Sequence, residues 1–362
     1  MINKNWQAFV KKPFVIAGPC SAESESQVME TATALSKIEE VKIFRAGIWK
    51  PRTRPNSFEG IGLAALDWMK NVYPETGLLT AVEVANAQHV ELALKAGINI
   101  LWLGARTTVN PFYVQEIADA LKGTGIPVMV KNPIHPELQL WQGAIERIYN
   151  AGIDQIAAIH RGFYTYNKTL FRNNPHWDIA IQLKMWQPDL PIICDPSHIT
   201  GRRDLIKIVS QKALDLDFQG LMIETHPNPD KALSDAAQQI TPKTLKEILA
   251  DLVYRDIKIT NKEFRSQLEE LRSEIDKIDE NLLEILAHRF EMIEKIGTYK
   301  RENNVAILQL ERFMEILKTR TEIGAKLNLN EQFVKQLFDQ IHQESIQKQT
   351  EILSQGININ KV

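Results

Sequence analysis

The first 230 residues repeat one pattern: a short apolar or β-branched run, a polar or glycine-marked exit, and a helix-like stretch. Such alternation is typical of βα units whose parallel sheet is buried on both faces. Eight units in this length favour a closed (β/α)8 TIM barrel over an open doubly wound sheet. No Gly-x-Gly-x-x-Gly turn follows the first run, as a nucleotide-binding doubly wound fold would usually show. The eight runs are 14–20, 41–47, 78–84, 100–105, 127–132, 155–161, 191–196 and 220–226.

After Pro242 the period changes to alternating steps of four and three, which predicts a long amphipathic helix. We expect this helix to end at Asn303-Asn304, a second helix to run from about 308 to 323, and Asn330 to cap a third. Three helices in roughly 100 residues cannot enclose the first one, so we expect a homodimer through this region, with a higher oligomer left open. The apolar seam of the first helix comprises Phe264, Leu268, Leu271, Ile275, Ile278, Leu282 and Ile285.

Composition changes at the same point in the chain. All 16 prolines and 14 of the 17 glycines precede residue 256, whereas residues 256–362 hold 35 of the 88 charged side chains. Loops of a barrel need proline and glycine, and long helices exclude proline from their interiors. We therefore predict two domains, a barrel over 1–255 and an all-helical domain over 256–362, joined by a linker at about 250–262. Residues 241–254 could also form the last helix of the barrel.

Charge and cysteine content restrict the class of protein further. The net charge of −2 gives no indication of a nucleic-acid or membrane partner. Two cysteines are too few for a disulfide framework. No leader-like start and no apolar run long enough to cross a bilayer is evident. We expect a soluble, cytoplasmic protein.

Ionisable residues concentrate at the carboxyl ends of the predicted strands, where barrel enzymes place their catalytic groups. Each alone could be a core residue or an ordinary ion pair, but so many cations at one mouth indicate an anionic ligand with more than one phosphate, or a phosphate and a carboxylate. The strand-end residues are Cys20, Arg45, Lys50, Arg52, Glu83, Arg106, Lys131, His160, Arg161, Asp195, His198, Glu224 and His226.

Three of these residues are also potential metal ligands. Cys20, His198 and Glu224 offer sulfur, nitrogen and oxygen from three strand ends, and Asp235 lies in the loop after the last strand. A mixed ligand set of this kind accepts Mn, Fe, Co or Zn, and ligand type alone does not choose among them.

The barrel segments resemble 3-deoxy-D-arabino-heptulosonate 7-phosphate (DAHP) synthase, the family that begins the shikimate pathway of aromatic amino acid biosynthesis. The likeness covers residues 1 to about 250 and is strongest to the compact microbial form, so we expect no separate N-terminal regulatory domain. The motifs that carry it are Gly18-Pro19-Cys20, Lys50-Pro51-Arg52-Thr53, Gly104-Ala105-Arg106-Thr107, Asp195-Pro196-Ser197-His198 and Ile223-Glu224-Thr225-His226.

This resemblance implies an aldol-like condensation of phosphoenolpyruvate with erythrose 4-phosphate. One divalent ion, Mn²⁺ first among the candidates, would be held by Cys20, His198, Glu224 and Asp235. Phosphoenolpyruvate would be held by Arg45, Arg106, Lys131 and Arg161, with Lys131 also a candidate proton donor. The sugar phosphate would be received by Lys50, Arg52 and Thr53. A sister family that uses arabinose 5-phosphate differs at the Lys-Pro-Arg-Thr motif.

Polar residues also interrupt the apolar faces of the predicted helices. Continuing the seam of the first helix reaches Arg289 and then Lys300, and the last helix carries Ser345 and Gln349 on its apolar face. Long cationic side chains could instead extend to solvent. Polar groups that face inward from several helices indicate a site inside a bundle.

Residues 268–349 resemble the all-helical chorismate mutases, which rearrange chorismate to prephenate without a metal or another cofactor. The order of polar residues carries the likeness: Arg272, Arg289, Lys300, Arg312, Ser345 and Gln349. In that family the bundle is an intertwined dimer, the first Arg reaches the partner's site, the other arginines bind carboxylates, and the Lys and Gln donate to the ether oxygen. Gln309 and Phe313 replace the acidic residues that bind the substrate hydroxyl in many relatives.

The sequence thus indicates a bifunctional enzyme, with an alternative in which the helical domain only dimerises and senses chorismate or prephenate. Joining the two activities in one chain suggests that prephenate or chorismate bound to the helical domain damps the synthase, which requires different affinities for two global states.

Overall fold

The computed structural model describes residues 13–49, 58–166, 169–255 and 261–354. The chain divides into two compact units, residues 1–257 and residues 258–362. We describe each unit by itself.

The first unit is a closed barrel of parallel strands in which each strand pairs with the next along the chain and β1 pairs with β8. Each strand lies within one of the predicted apolar runs, and the predicted TIM barrel is confirmed. Its strands are β1 Phe14–Gly18, β2 Val41–Ala46, β3 Leu79–Val84, β4 Ile100–Leu103, β5 Val128–Lys131, β6 Ile156–His160, β7 Ile192–Cys194 and β8 Gly220–Glu224.

Helices surround the barrel and start from local capping signals. Asn86 and Asn110 accept backbone N–H groups at the starts of α3 and α5, and Thr241 caps α10 with Pro242 in the first turn. Residues 241–251 belong to the barrel unit. Its helices are α1 Glu25–Leu35, α2 Leu63–Thr76, α3 Ala87–Lys95, α4 Ala105–Thr108, α5 Pro111–Leu121, α6 Leu138–Asn150, α7 Trp177–Trp186, α8 Pro196–Thr200, α9 Ile206–Asp215 and α10 Pro242–Asp251, with 3-10 turns at Arg203–Leu205, Pro229–Lys231 and Ala236–Gln238.

The strands fill the barrel interior with alternate residues, because successive side chains point to opposite faces of a strand. Gly220 allows the ring of Phe14 to fit at the lower end, where an added Cβ would come within 2.5 Å of it. Toward the carboxyl ends, the next inward position is charged on six of the eight strands, so a charged mouth lies above an apolar plug. The buried plug comprises Phe14, Ile16, Ile43, Ala81, Ile100, Trp102, Met129, Ala157, Ile159, Ile193 and Met222.

The second unit contains three helices, α11 Lys262–Glu302, α12 Leu310–Lys326 and α13 Glu331–Ser354. As predicted, α11 ends before Asn303, and Asn330 accepts the N–H of Phe333 at the start of α13. The predicted second helix is shifted by two to three residues. Gly297 lets α13 approach α11 closely, since a Cβ there would lie 3.0 Å from Ile352.

The first half of α11 exposes its apolar seam. Leu271, Ile278 and Ile285 are each 57–66% exposed in the single chain. A row of exposed large apolar side chains at helical spacing is typical of a surface that associates with another helix. None of the described helices combines the length and the apolar character that crossing a membrane requires.

Candidate active sites

The barrel mouth is organised around a buried ion pair. Arg45, at the end of β2, donates from Nη1 to Oε1 of Glu224 on β8 at 2.7 Å, and both side chains are almost fully buried. Burial lowers the pKa of Arg45, but Glu224, with Cys20 and Asp195, outweighs it and leaves that pKa raised. The guanidinium also lies over the Trp102 ring at 4.9 Å.

A second buried carboxylate joins two predicted site residues. Asp195 Oδ2 lies 3.0 Å from Lys131 Nζ and 2.7 Å from His198 Nδ1, and its Oδ1 accepts the His198 N–H. Burial raises the pKa of Asp195, yet His198 and Lys131 outweigh it and hold that pKa well below its usual value. Asp195 thus fixes the position of the lysine and the orientation of the imidazole.

Further cations lie on the β4 to β6 side of the mouth. Arg161 donates to Asn173 Oδ1 at 2.7 Å, and its backbone N–H donates to Asn132. The pKa of Arg161 falls to about 10, first because of burial and then because Arg172 and Arg106 repel its charge, although Asp195 opposes this. Cations brought this close are stabilised by an anion bound among them.

The four predicted metal ligands form two close pairs. Cys20 Sγ lies 3.2 Å from Asp235 Oδ2, and His198 Nε2 lies 3.7 Å from Glu224 Oε1. Within the described ranges no three such side chains are grouped closely enough to form a ready metal cluster. Asp235 has a φ of 48°, a left-handed conformation that Asp and Asn adopt more readily than most other residues.

A hydrogen-bond network links these two pairs. Arg172 donates to both Asp235 and Gln238, and Gln238 donates to Glu224 Oε2 at 2.7 Å. The donor set of one thiol, one imidazole and two carboxylates suits a divalent transition metal, and the polar neighbours orient both carboxylates. The donor set therefore fits a divalent metal in its chemistry.

The structure corrects one prediction at the mouth. His160 does not face the mouth, because it shares the outward face of β6 with Ile156 and Ala158. Its ring instead lies among aromatic side chains between barrel and helices, 5.2 Å from Trp177 and 6.2 Å from Trp141. Burial lowers its pKa to about 3.

Four other residues predicted for the barrel site are either exposed or outside the described part of the chain. Arg106 follows β4 in the short helix α4 and is exposed. Lys50, Arg52 and Thr53 lie outside the described residues. Arg172 and Gln238 were not predicted, since both lie in loops away from any strand end.

The helical unit contains a partly open cavity of about 290 Å³ that is lined by all three helices and the loop before α12. It brings together most of the residues predicted for this unit, whereas Arg272 lies outside it in the single chain, on the exposed first half of α11. The lining residues are Arg289, Met292, Ile293, Ile296, Lys300, Ile307, Gln309, Arg312, Phe313, Ile316, Arg320, His342, Ser345 and Gln349.

Contacts within this cavity hold the polar groups in place. Arg289 Nη1 donates to Ser345 Oγ at 2.9 Å, Lys300 Nζ donates to the Ile307 carbonyl at 2.6 Å, and Gln349 Nε2 donates to the Ser345 carbonyl. Burial lowers the pKa of Lys300. The pKa of Arg289 is lowered first by burial and then by the nearby Arg320.

Two ionisable lining residues, Arg320 and His342, were not predicted from the sequence. Arg320 lies eight residues beyond Arg312 on α12, and His342 stacks on Phe313 with ring centroids 3.9 Å apart. The pKa of His342 is lowered by burial and by Arg289. Helical spacing alone could have placed Arg320 near the face of Arg312, but not against α11.

The fold and the two sites define a (β/α)8-barrel enzyme with an appended helical domain. Residues 10–259 match the profile of the DAHP synthetase I family, and residues 271–350 match that of chorismate mutase type II. The chain belongs to the DAHP synthetase I family and carries a C-terminal chorismate mutase domain. It is a bifunctional enzyme of the shikimate pathway.

Individual relatives agree with the barrel assignment. The phospho-2-dehydro-3-deoxyheptonate aldolase of Thermotoga maritima is 33% identical over 239 residues, 66% of this chain and 68% of the relative. The 2-dehydro-3-deoxyphosphooctonate aldolase of Vesicomyosocius okutanii is 26% identical over 259 residues, 66% of this chain and 89% of the relative. The crystal structure of the Thermotoga maritima DAHP synthase superposes with a TM-score of 0.60 at 30% identity, over 66% of this chain and 67% of that one.

Proposed function

We propose that the barrel condenses phosphoenolpyruvate with erythrose 4-phosphate and water to give DAHP and inorganic phosphate. The ring of cations on the strand ends carries this proposal, with Arg45, Lys131 and Arg161 fixed by buried acceptors above an apolar plug. Phosphoenolpyruvate has both a phosphate and a carboxylate, for which guanidinium groups are suited.

The residues of the mouth would act chiefly by positioning charge. Arg45, Arg106, Lys131 and Arg161 would hold phosphoenolpyruvate, and the segment Lys50-Pro51-Arg52-Thr53 would receive the sugar phosphate. Fixed cations align two anionic substrates that otherwise repel each other. Lys131, whose Nζ donates to Asp195, would supply a proton to the reacting substrate. Water then adds at the second carbon and phosphate leaves.

We further propose that Cys20, His198, Glu224 and Asp235 hold one divalent ion, with Mn²⁺ first and Fe, Co or Zn as alternatives. When bound, the ion supplies Lewis-acid polarisation of the aldehyde oxygen. Neighbouring residues orient the ligands. Asp195 holds Nδ1 of His198, so that Nε2 is directed to Glu224, and Gln238 holds the second oxygen of Glu224.

The choice of sugar separates this proposal from a second synthase activity. Relatives named 2-dehydro-3-deoxyphosphooctonate aldolase also align with the barrel, but the Lys50-Pro51-Arg52-Thr53 motif favours erythrose 4-phosphate. Consumption of phosphoenolpyruvate should be measured with each sugar. Turnover with arabinose 5-phosphate and none with erythrose 4-phosphate would overturn the assignment.

For the helical domain we propose rearrangement of chorismate to prephenate without a cofactor. The cavity offers Arg289 and Arg312 for carboxylates, and Lys300 and Gln349 as donors to the ether oxygen, where charge develops. Gln309 can still bond the substrate hydroxyl, whereas Phe313 packs against His342 instead.

An alternative is that this domain senses chorismate or prephenate without catalysis. The pairing of Lys300 with Gln349 in one cavity favours catalysis, since a sensor does not need donors at the ether oxygen. Loss of chorismate absorbance should be followed with the full chain and with Lys300→Met. Binding without turnover at high enzyme concentration would support the sensing alternative.

We also propose that the protein is a cytoplasmic homodimer, or a higher oligomer built from it, in which the partner supplies Arg272 to the cavity. The exposed α11 seam supports pairing with a second copy. Prephenate bound in the cavity would damp the synthase. Saturating prephenate should therefore lower the rate of phosphoenolpyruvate consumption, and an unchanged rate would exclude this control.

A further inference from the structure

The helical cavity contains more cations than the predicted set. Arg320 lies on α12 and contributes to the wall, together with Arg289, Lys300 and Arg312. The Arg320 side chain is half-buried, whereas that of its neighbour Lys318 is exposed. Position on the helix therefore directs Arg320, and not Lys318, to the cavity.

The charge of these cations is compensated unevenly. Arg312 pairs with Glu315 on the outer surface at 2.6 Å. Arg289, in contrast, donates to the neutral Ser345, and within the described part of the chain the side-chain contact of Arg320 is the neutral Thr319 at 3.0 Å. No Asp or Glu is among the described residues that line the cavity.

Arg289 and Arg320 also lie close enough to repel each other, which contributes to the lowered pKa of Arg289. Two guanidinium groups that share a partly buried wall without a carboxylate are a costly arrangement in the free protein. An anion between them removes that cost, and two planar forks can grip the two oxygens of one carboxylate.

We propose that Arg320 is a substrate-binding residue of the helical site and grips the same ligand carboxylate as Arg289. This inference rests on the proposed mutase or sensing function, because it requires a dicarboxylate in the cavity. An interaction formed equally with substrate, transition state and product strengthens binding without raising the chemical rate. Arg320 therefore sets affinity rather than turnover.

The test compares Arg320→Gln with Lys318→Gln, which removes the same charge from the exposed face of the same helix. Prephenate affinity is measured by calorimetry on the full chain, and kcat and KM for chorismate are measured in parallel. We expect Arg320→Gln to raise Kd and KM by about 10- to 100-fold, as for loss of a charge-assisted hydrogen bond, with kcat changed less than about threefold. Lys318→Gln should change each by less than about twofold.

A conservative variant and a stability measurement complete the test. Arg320→Lys keeps the charge but loses the planar fork, and it should recover part of the affinity. If Arg320→Gln instead weakens the dimer or lowers Tm while Kd stays at the wild-type value, Arg320 pairs with an acid of a second copy and the inference is wrong. It is equally wrong if Arg320→Gln and Lys318→Gln bind alike. A wild-type chain that neither binds prephenate nor consumes chorismate would overturn the proposed function itself.

Discussion

The barrel mouth and the helical cavity both collect cations, but they compensate the charge differently. In the barrel, Arg45 and Lys131 are buried and each contacts a carboxylate of the same chain, Glu224 or Asp195. In the helical unit, Arg289 contacts a hydroxyl and lies near a second arginine. The barrel site is therefore electrostatically organised before a ligand binds, whereas the cavity depends on its ligand.

The difference follows from the supporting structure. Strand ends of a closed barrel fix inward positions around the mouth, so acids and bases that lie two strands apart meet there. The helical cavity is lined by three helices of one chain, and the first half of α11, including Arg272, remains exposed in the single chain. In the proposed homodimer, a second copy would complete this site.

The largest expected effect comes from removing the Cys20 thiol, which should lower the activity of the barrel and leave that of the helical domain unchanged. Cys20→Ala should lower kcat for phosphoenolpyruvate consumption about a thousandfold or more, because the aldehyde would lose Lewis-acid polarisation. Chorismate turnover should not change. Cys194→Ala is the matched control, since this second buried cysteine faces the helices rather than the mouth. Equal loss in both variants would contradict the assignment of Cys20.

The compensation of cationic charge in the two sites can be compared by measuring the free energy of unfolding of matched variants. Arg45→Met leaves Glu224 buried without its ion-pair partner and should lower the free energy of unfolding of the barrel by about 3–5 kcal/mol. Arg289→Met removes a cation that has a neutral partner and a repelling neighbour, so it should cost the helical unit no more than about 1.5 kcal/mol.

Both variants should be unfolded in denaturant at one protein concentration, with probes for each unit. If Arg289→Met costs as much as Arg45→Met, the cavity contains an acidic partner, and the comparison between the two sites is wrong.

The sequence predicts the barrel site better than the cavity for a geometric reason. Each apolar run indicates which alternate residues of its strand face the barrel interior. The inward positions of Arg45, Lys131 and Arg161 therefore follow from the pattern alone. His160 shows the limit, because both His160 and Arg161 at the end of β6 were expected at the mouth although alternate residues of a strand face opposite sides. Arg172 lies in a long loop after β6, where no period constrains its position.

In the helical domain the pattern gives the apolar face of each helix, but not how the helices are rotated against one another. The positions of Lys300, Ser345 and Gln349 followed from seams and from the family order. Arg320 and His342 did not, because their proximity to Arg289 depends on how α12 and α13 pack against α11.

The smallest expected effect is a loss of barrel stability at acidic pH that arises from His160. Burial lowers the pKa of His160 to about 3, whereas in the unfolded chain this histidine is protonated near the ordinary pKa of 6.5. As pH falls below about 6.5 the unfolded state binds a proton that the folded barrel does not, so stability decreases by up to about 1.4 kcal/mol per pH unit.

His160→Leu removes this proton uptake and should flatten the pH dependence of barrel unfolding between about pH 6 and 4. Urea denaturation at a series of pH values measures the slope. An unchanged slope would show that His160 is not held neutral by the aromatic layer, and that this layer is more polar than the structure indicates.

The central claim is that one chain contains two chemically independent sites, of which only the barrel uses a metal. The most direct measurement is a pair of assays on one purified sample, phosphoenolpyruvate consumption with erythrose 4-phosphate and chorismate consumption, each with and without a chelator. We predict that the chelator abolishes the first activity, that added Mn²⁺ restores it, and that the second is unaffected. Chelator-resistant condensation, or loss of both activities together, would contradict the claim.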